Sequence, residues 1–170
     1  MTPTNVAELA AAHERLRESA RAVGAALASV EVYTEPAVAR AVQAEHNLYA
    51  RIDAEFGLLT SSEAGTRMGS RSSAPRNLAT TAHRNGALVA IRQGNYPAYP
   101  GFQFGADGKP LAVIARLREL ADANGWSEAG LVQWLCSPTT YLDGDRPVDH
   151  LRTDPERVVA VAAEAMAISW

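Results

Sequence analysis

Between Ala64 and Ala106 the chain carries five arginines, Arg67, Arg71, Arg76, Arg84 and Arg92, and no aspartate or glutamate. The 170-residue chain has a formal net charge of −3, so these five positive charges leave −8 on the remainder. Arginines gathered on one face release counterions from a phosphate backbone, which makes such a block the electrostatic footprint of a nucleic-acid surface. A solvated face would carry the same charges, so the local pattern around them decides between the two.

Elsewhere the residue types that perform covalent chemistry do not assemble. His13, His46, His83 and His150 are scattered, and none has a second His or a Cys at metal-ligand spacing. Asp143 and Asp145 flank Gly144 without the longer run of oxygen ligands and the closing glutamate of a calcium loop, and read as a turn. No P-loop, Gly-x-Gly-x-x-Gly fingerprint or nucleophile elbow occurs. Cys136 beside Trp134 reads as a small buried hydrophobe. The expectation is a protein that is not an enzyme and needs no cofactor or metal.

The cationic block maps onto a short helix, a turn, a second helix and a hairpin. Thr60-Ser-Ser-Glu63 is a capping box that opens the first helix, with Ala64 and Met68 inward and Gly69 at its end. Ser72 or Ser73 can cap the second, with Pro75 in its first turn and Gly86 after it, which leaves a connection of about four residues. Ala74, Leu78 and Ala82 at four-residue spacing form the expected inner face. Asn77, Thr80, Thr81 and Arg84 then share the outer face, where such side chains reach base edges. This reads as a helix-turn-helix, with Arg71, Arg76 and Arg92 around it; a core helical hairpin with a wet polar face is the competing reading. Ala87–Arg92 is apolar and strand-like, and Gln93-Gly94-Asn95 turns it into Tyr96–Phe104. Pro97 and Pro100 predict that this second arm is an edge strand or extended segment. The hairpin is the expected wing, unless it only seals the helices beneath it.

Two long helices precede the block. Leu9, Leu16, Val23, Leu27 and many alanines from Asn5 to about Val30 form a narrow stripe suited to close helix contact. A second helix is predicted from about Pro36 to Phe56, ended by Gly57. Homodimerisation through the alanine stripe and packing within the chain are both open at this point. After the hairpin, Pro110 opens a helix through about Ala123, Ser127 caps another that stops at Pro138, and Thr153-Asp-Pro-Glu156 forms a second capping box. That box opens a last helix with Val158, Val161, Ala162 and Ala165 inward. The fold class is therefore mainly α: helices over 1–57, a winged helix-turn-helix over 58–104 and a small helical module over 105–170. One cysteine, no apolar run near the eighteen or so residues of a membrane span, and no basic-then-apolar opening predict a cytoplasmic location away from membranes.

Tyr99-Pro-Gly-Phe-Gln-Phe104, Gly125-Trp-Ser, Trp134-Leu135 with Pro138, Asp143-Gly144 with Arg146-Pro147, Leu151 and the closing valine-rich helix occur in an ordered series. With them, residues 97–167 resemble the toxin-binding domain of Xre/MbcA/ParS-type antitoxins. The resemblance implies an antitoxin of a type II toxin-antitoxin system that neutralises a RES-domain toxin, an enzyme that consumes NAD or transfers ADP-ribose from it. It also implies repression of its own operon through double-stranded DNA at its promoter. Toxin contact would fall to Val161, Ala165, Met166, Ile168 and Trp170, with Arg146 shaping the supporting loop. The alternative is a stand-alone transcriptional regulator whose C-terminal module dimerises or binds an effector.

Overall fold

The computed structural model describes Ser19, Arg21 and residues 36–167. The chain divides into two compact units, Met1–Gln43 and Ala44–Trp170. In the first, the described residues are helical and exposed, Val38 and Val42 among them. The alanine stripe of residues 5–30 and the dimer expected from it lie outside the described residues. Helix α1 (Pro36–Phe56) has the bounds the sequence predicts and contributes Leu48 and Ile52 to the core of the second unit.

The second unit continues through β1 (Leu58–Leu59), α2 (Ser61–Arg67), α3 (Arg76–Arg84), β2 (Ile91–Gln93) and β3 (Tyr96–Pro100). Then come α4 (Ala112–Ala123), α5 (Glu128–Leu135), α6 (Pro147–His150) and α7 (Pro155–Met166). The architecture is mainly helical with one small antiparallel sheet, ordered β1-β3-β2. The start of α2 is set by the predicted capping box: Thr60 Oγ1 accepts from the Glu63 amide at 3.3 Å, and the Glu63 carboxylate accepts from the Thr60 amide at 2.7 Å. Gly69 and Gly86 follow α2 and α3 with φ of 87° and 79°, the left-handed geometry that ends a helix.

Three local expectations are corrected. The α2–α3 connection is eight residues, Met68–Pro75, and not about four, because the serines form turns of their own. Ser70 accepts from the Ser72 amide and Ser72 from the Ala74 amide, and Pro75 precedes α3 with no side-chain cap. Second, β3 is the central strand and not an edge. Its prolines are tolerated because β2 pairs with residues 96–98 and β1 only with Tyr99 and Pro100, so the strand is never flanked on both sides at one place. Third, α7 is capped by Asp154, which accepts from the Arg157 amide, and not by Thr153; Pro155 then occupies the first position, where no amide hydrogen is needed.

The core has two parts. The larger joins Leu48 and Ile52 to Val113, Leu117, Leu131, Leu135, Val158 and Met166 of the C-terminal helices. The smaller, beneath α2 and α3, consists of Ala64, Ala79, Leu88, Tyr99 and Phe104. Gln103 sits fully buried in the segment linking the sheet to α4. Its Oε1 accepts from the Val89 amide at 2.8 Å, and its Nε2 donates to the Val89 and Pro100 carbonyls, each at 3.0 Å. The side chain thus stands in for a strand where the ladder has not yet begun. Replacing Gln103 by Leu keeps the volume but leaves the buried Val89 amide and carbonyl without these partners, and should lower stability by about 2–4 kcal/mol in urea titration. An unchanged midpoint would contradict this role.

Candidate nucleic-acid interface

Ala79 is fully buried against Tyr99 and Phe104, whereas Leu78 is 39% exposed. Ala82 packs on the small core as predicted and Ala74 is half-buried, but Leu78 leaves the inner face, which centres on Ala79. The cause lies in α2: Gly65 packs so tightly on the Pro75 carbonyl that a Cβ there would collide with it. This contact fixes the entry into α3 and turns Ala79 inward. With a step of about 100° per residue, Asn77, Thr81 and Arg84 then point most directly outward, while Arg76 and Thr80 lie on one flank and Leu78 on the other.

All seven residues predicted for DNA contact are exposed. Asn77, Thr81 and Arg84 are gathered on one side of α3. Arg71 stands in the α2–α3 connection and Arg92 on β2. Arg76 lines a groove of about 340 Å³ with Thr60, Ser61 and Ser62 at the start of α2 and Gln93 and Tyr96 of the hairpin. The Thr80 hydroxyl donates to the Arg76 carbonyl at 2.9 Å, so its proton is committed to the helix. Tyr96, which sequence reasoning passed over, is the most exposed large apolar side chain described, at 78%.

Past α1, whose Arg40 and Arg51 also have no ion pair or side-chain hydrogen bond, the arginines fall into two groups. Arg116, Arg118, Arg146 and Arg157 pair with Glu156, Glu128, Glu55 and Asp143, and Arg152 donates to the Phe104 carbonyl at 2.8 Å. Arg67 stacks over the Phe104 ring at 5.4 Å. Among the described residues Arg71, Arg76, Arg84 and Arg92 have no ion pair and no side-chain hydrogen bond. Four unneutralised guanidinium groups thus lie on α3, the turn before it and the hairpin after it, and give this face an uncompensated positive charge.

A polar cluster holds that face to the C-terminal helices. Glu128, the first residue of α5, accepts from the Ala90 amide at 2.7 Å, from His83 Nε2 at 2.8 Å and from Arg118 at 2.8 Å. A carboxylate has no proton to give, so Nε2 of His83 is the protonated ring nitrogen. Arg118 also donates to the His83 carbonyl at 2.8 Å and the Leu88 carbonyl at 2.6 Å, closing the C-terminal end of α3. The His83 ring meets the Tyr99 ring edge-on, centroids 5.9 Å apart. Burial pushes the Glu128 carboxyl up, but the His83 hydrogen bond, the Ala90 amide and the Arg118 charge outweigh it and hold the group below its ordinary value. No sequence motif announces this cluster, because Glu128 and His83 are 45 residues apart.

The residues assigned to toxin contact are placed otherwise. Val161 and Met166 are buried, and Met166 belongs to the main core, so neither side chain is free for a partner. Ala165 is half-buried, and Ile168 and Trp170 lie outside the described residues. Arg146 forks onto Glu55 at 2.7 and 2.8 Å and onto Asp149 at 2.7 and 2.9 Å, over the Phe56 ring. It fastens α1 to α6. Burial pushes the Cys136 thiol up to about 12, so it stays protonated at neutral pH. Among the described residues no group of three or more His, Cys, Asp or Glu could hold a metal ion, and no helix is long and apolar enough to cross a membrane.

No protein-family model matches the chain, and no curated protein matches it. Among solved structures the fold is similar to the NMR structure of Rv2175c, with a TM-score of 0.57 and 23% identity over 67% of this chain and 84% of that one. At this identity the likeness is one of fold.

The lowered Glu128 carboxyl has a consequence for pH dependence. Its contribution is complete above the ordinary value of 4.5 and fades as pH falls through the lower folded-state value. Glu128→Gln should cost about 2 kcal/mol at neutral pH, and the gap to wild type in thermal melts should narrow as the pH falls below 4.5. A gap independent of pH would mean that the charge on Glu128 does not matter.

Proposed function

We propose that this chain binds double-stranded DNA as a winged helix-turn-helix regulator, with α3 in the major groove and the β2–β3 hairpin as the wing. The observation that carries the reading is the division of the arginines. Each arginine from Arg116 to Arg157 has an intramolecular acceptor, while Arg71, Arg76, Arg84 and Arg92 around α3 have none among the described residues. Unpaired guanidinium groups close together repel one another, a cost that binding to phosphates relieves. Asn77, Thr81 and Arg84 are the side chains α3 presents to base edges, and Arg71 and Arg92 flank them as candidates for the phosphate backbone. The groove between Arg76, the start of α2 and Tyr96 suits a phosphate of the same backbone.

The C-terminal helices act in this reading as a buttress, joined to α3 and the hairpin by Glu128 and Arg118. A RES-domain toxin as partner is carried by the resemblance alone, since Val161 and Met166, two of the side chains it assigns to that contact, are in the core.

The test is titration of duplex DNA at several salt concentrations. Changing Arg71, Arg84 and Arg92 together to alanine should weaken binding and reduce the slope of log K against log salt by about 2, near 0.9 for each of the two phosphates that Arg71 and Arg92 no longer neutralise. These residues are exposed, so the melting temperature should hold. Affinity and slope equal to wild type would overturn the reading.

A further inference from the structure

Leu78 is the one large apolar side chain on the solvent side of α3, and it belongs to neither core cluster. A single exposed leucine is ordinary on a protein surface. This one stands beside Thr81 on the flank of α3 opposite Arg76 and Thr80, and the arginines around the helix, Arg71, Arg76 and Arg84, have no acidic partner among the described residues. The nearest acid in sequence, Glu63, is engaged by the Thr60 amide. A second protein surface laid here would need to be both apolar and acidic within one small area. The major groove of DNA meets both conditions, since its rim is phosphate and its floor carries one prominent apolar group, the C5-methyl of thymine.

Resting on the DNA reading above, we propose that Leu78 packs on a thymine C5-methyl group and makes the chain select thymine at one position of its bound sequence. Asn77 and Arg84 cannot supply this selection, and the Leu78→Ala comparison separates Leu78 from the methyl group of Thr81. Asn77 and Arg84 read donors and acceptors, which uracil and thymine present identically in the groove; the methyl group is the only difference between them. Burying one methyl group against an isobutyl side chain corresponds to about three- to fivefold in affinity.

The experiment uses the full chain and a duplex selected by it from a random pool, with thymine replaced by deoxyuridine one position at a time. Dissociation constants are measured by fluorescence anisotropy for wild type and Leu78→Ala. The expected result is one thymine whose methyl removal weakens wild type by about three- to fivefold, with Leu78→Ala binding the two duplexes alike. Either of two results overturns the inference: no thymine-to-uracil effect at any position in wild type, or an undiminished effect in Leu78→Ala. Absence of the effect in wild type overturns the inference whether or not the variant folds; thermal melts establish that Leu78→Ala is folded, with the volume-conserving Leu78→Gln, expected to lose the effect as well, as the second variant. If wild type binds no duplex, the DNA reading falls and the inference with it.

Discussion

One carboxylate gathers the parts of the molecule that would otherwise move independently. Glu128 takes an amide proton from the segment entering the hairpin, a ring proton from the end of α3 and a guanidinium from α4. Through Arg118 the same cluster also binds the carbonyls of His83, near the end of α3, and of Leu88, in the segment that follows it. The small core beneath α2 and α3 contains only Ala64, Ala79, Leu88, Tyr99 and Phe104 as fully buried apolar residues. So few side chains cannot fix the angle of a short helix by packing alone, and the polar cluster supplies the missing constraint. A reading helix must hold its side chains within a fraction of an ångström of their targets, so the buttress and the proposed interface are parts of one requirement.

Arginine is used in two ways along the chain. In the C-terminal helices the guanidinium forks onto carboxylates and carbonyls and fastens one element to another, as Arg146 does between α1 and α6. Around α3 the same side chain is left without an acceptor. Residues 64–106 have no acid, so no internal partner lies close in sequence, and among the described residues the fold brings none to Arg71, Arg76, Arg84 or Arg92; Arg40 and Arg51 of α1 lack one too, although Glu45, Asp53 and Glu55 lie nearby in sequence. A surface of this kind has a positive potential that salt screens over a short range.

Much of this is legible in the sequence where the cause is local. The capping box at Thr60, the cap at Ser127, the terminating glycines and the Gln93-Gly94-Asn95 turn act over three or four residues, and each stands where the sequence puts it. The phase of α3 is not legible, because Ala74, Leu78 and Ala82 make a plausible stripe and the deciding contact is Gly65 against Pro75 in another element. The place of β3 in the sheet escapes for a similar reason. A proline forbids one ladder bond, but which neighbour is absent at that residue depends on two-residue β1, too short to be seen in sequence. The Glu128 cluster spans residues 83 to 128 and leaves no periodic trace. At the C-terminus, the apolar spacing of Val161 points to the core where it lies, and a resemblance that assigns it to a partner does not weigh that burial.

The central claim is that the face formed by α3 and the β2–β3 hairpin, held by Glu128, is where DNA binds. The most direct test is nuclear magnetic resonance of the isotope-labelled full chain titrated with duplex DNA. The account predicts that the amide signals of residues 71–84 and 92–96 shift together and saturably while those of α7 stay in place. Shifts centred on α6 and α7, or none at any residue, would contradict it.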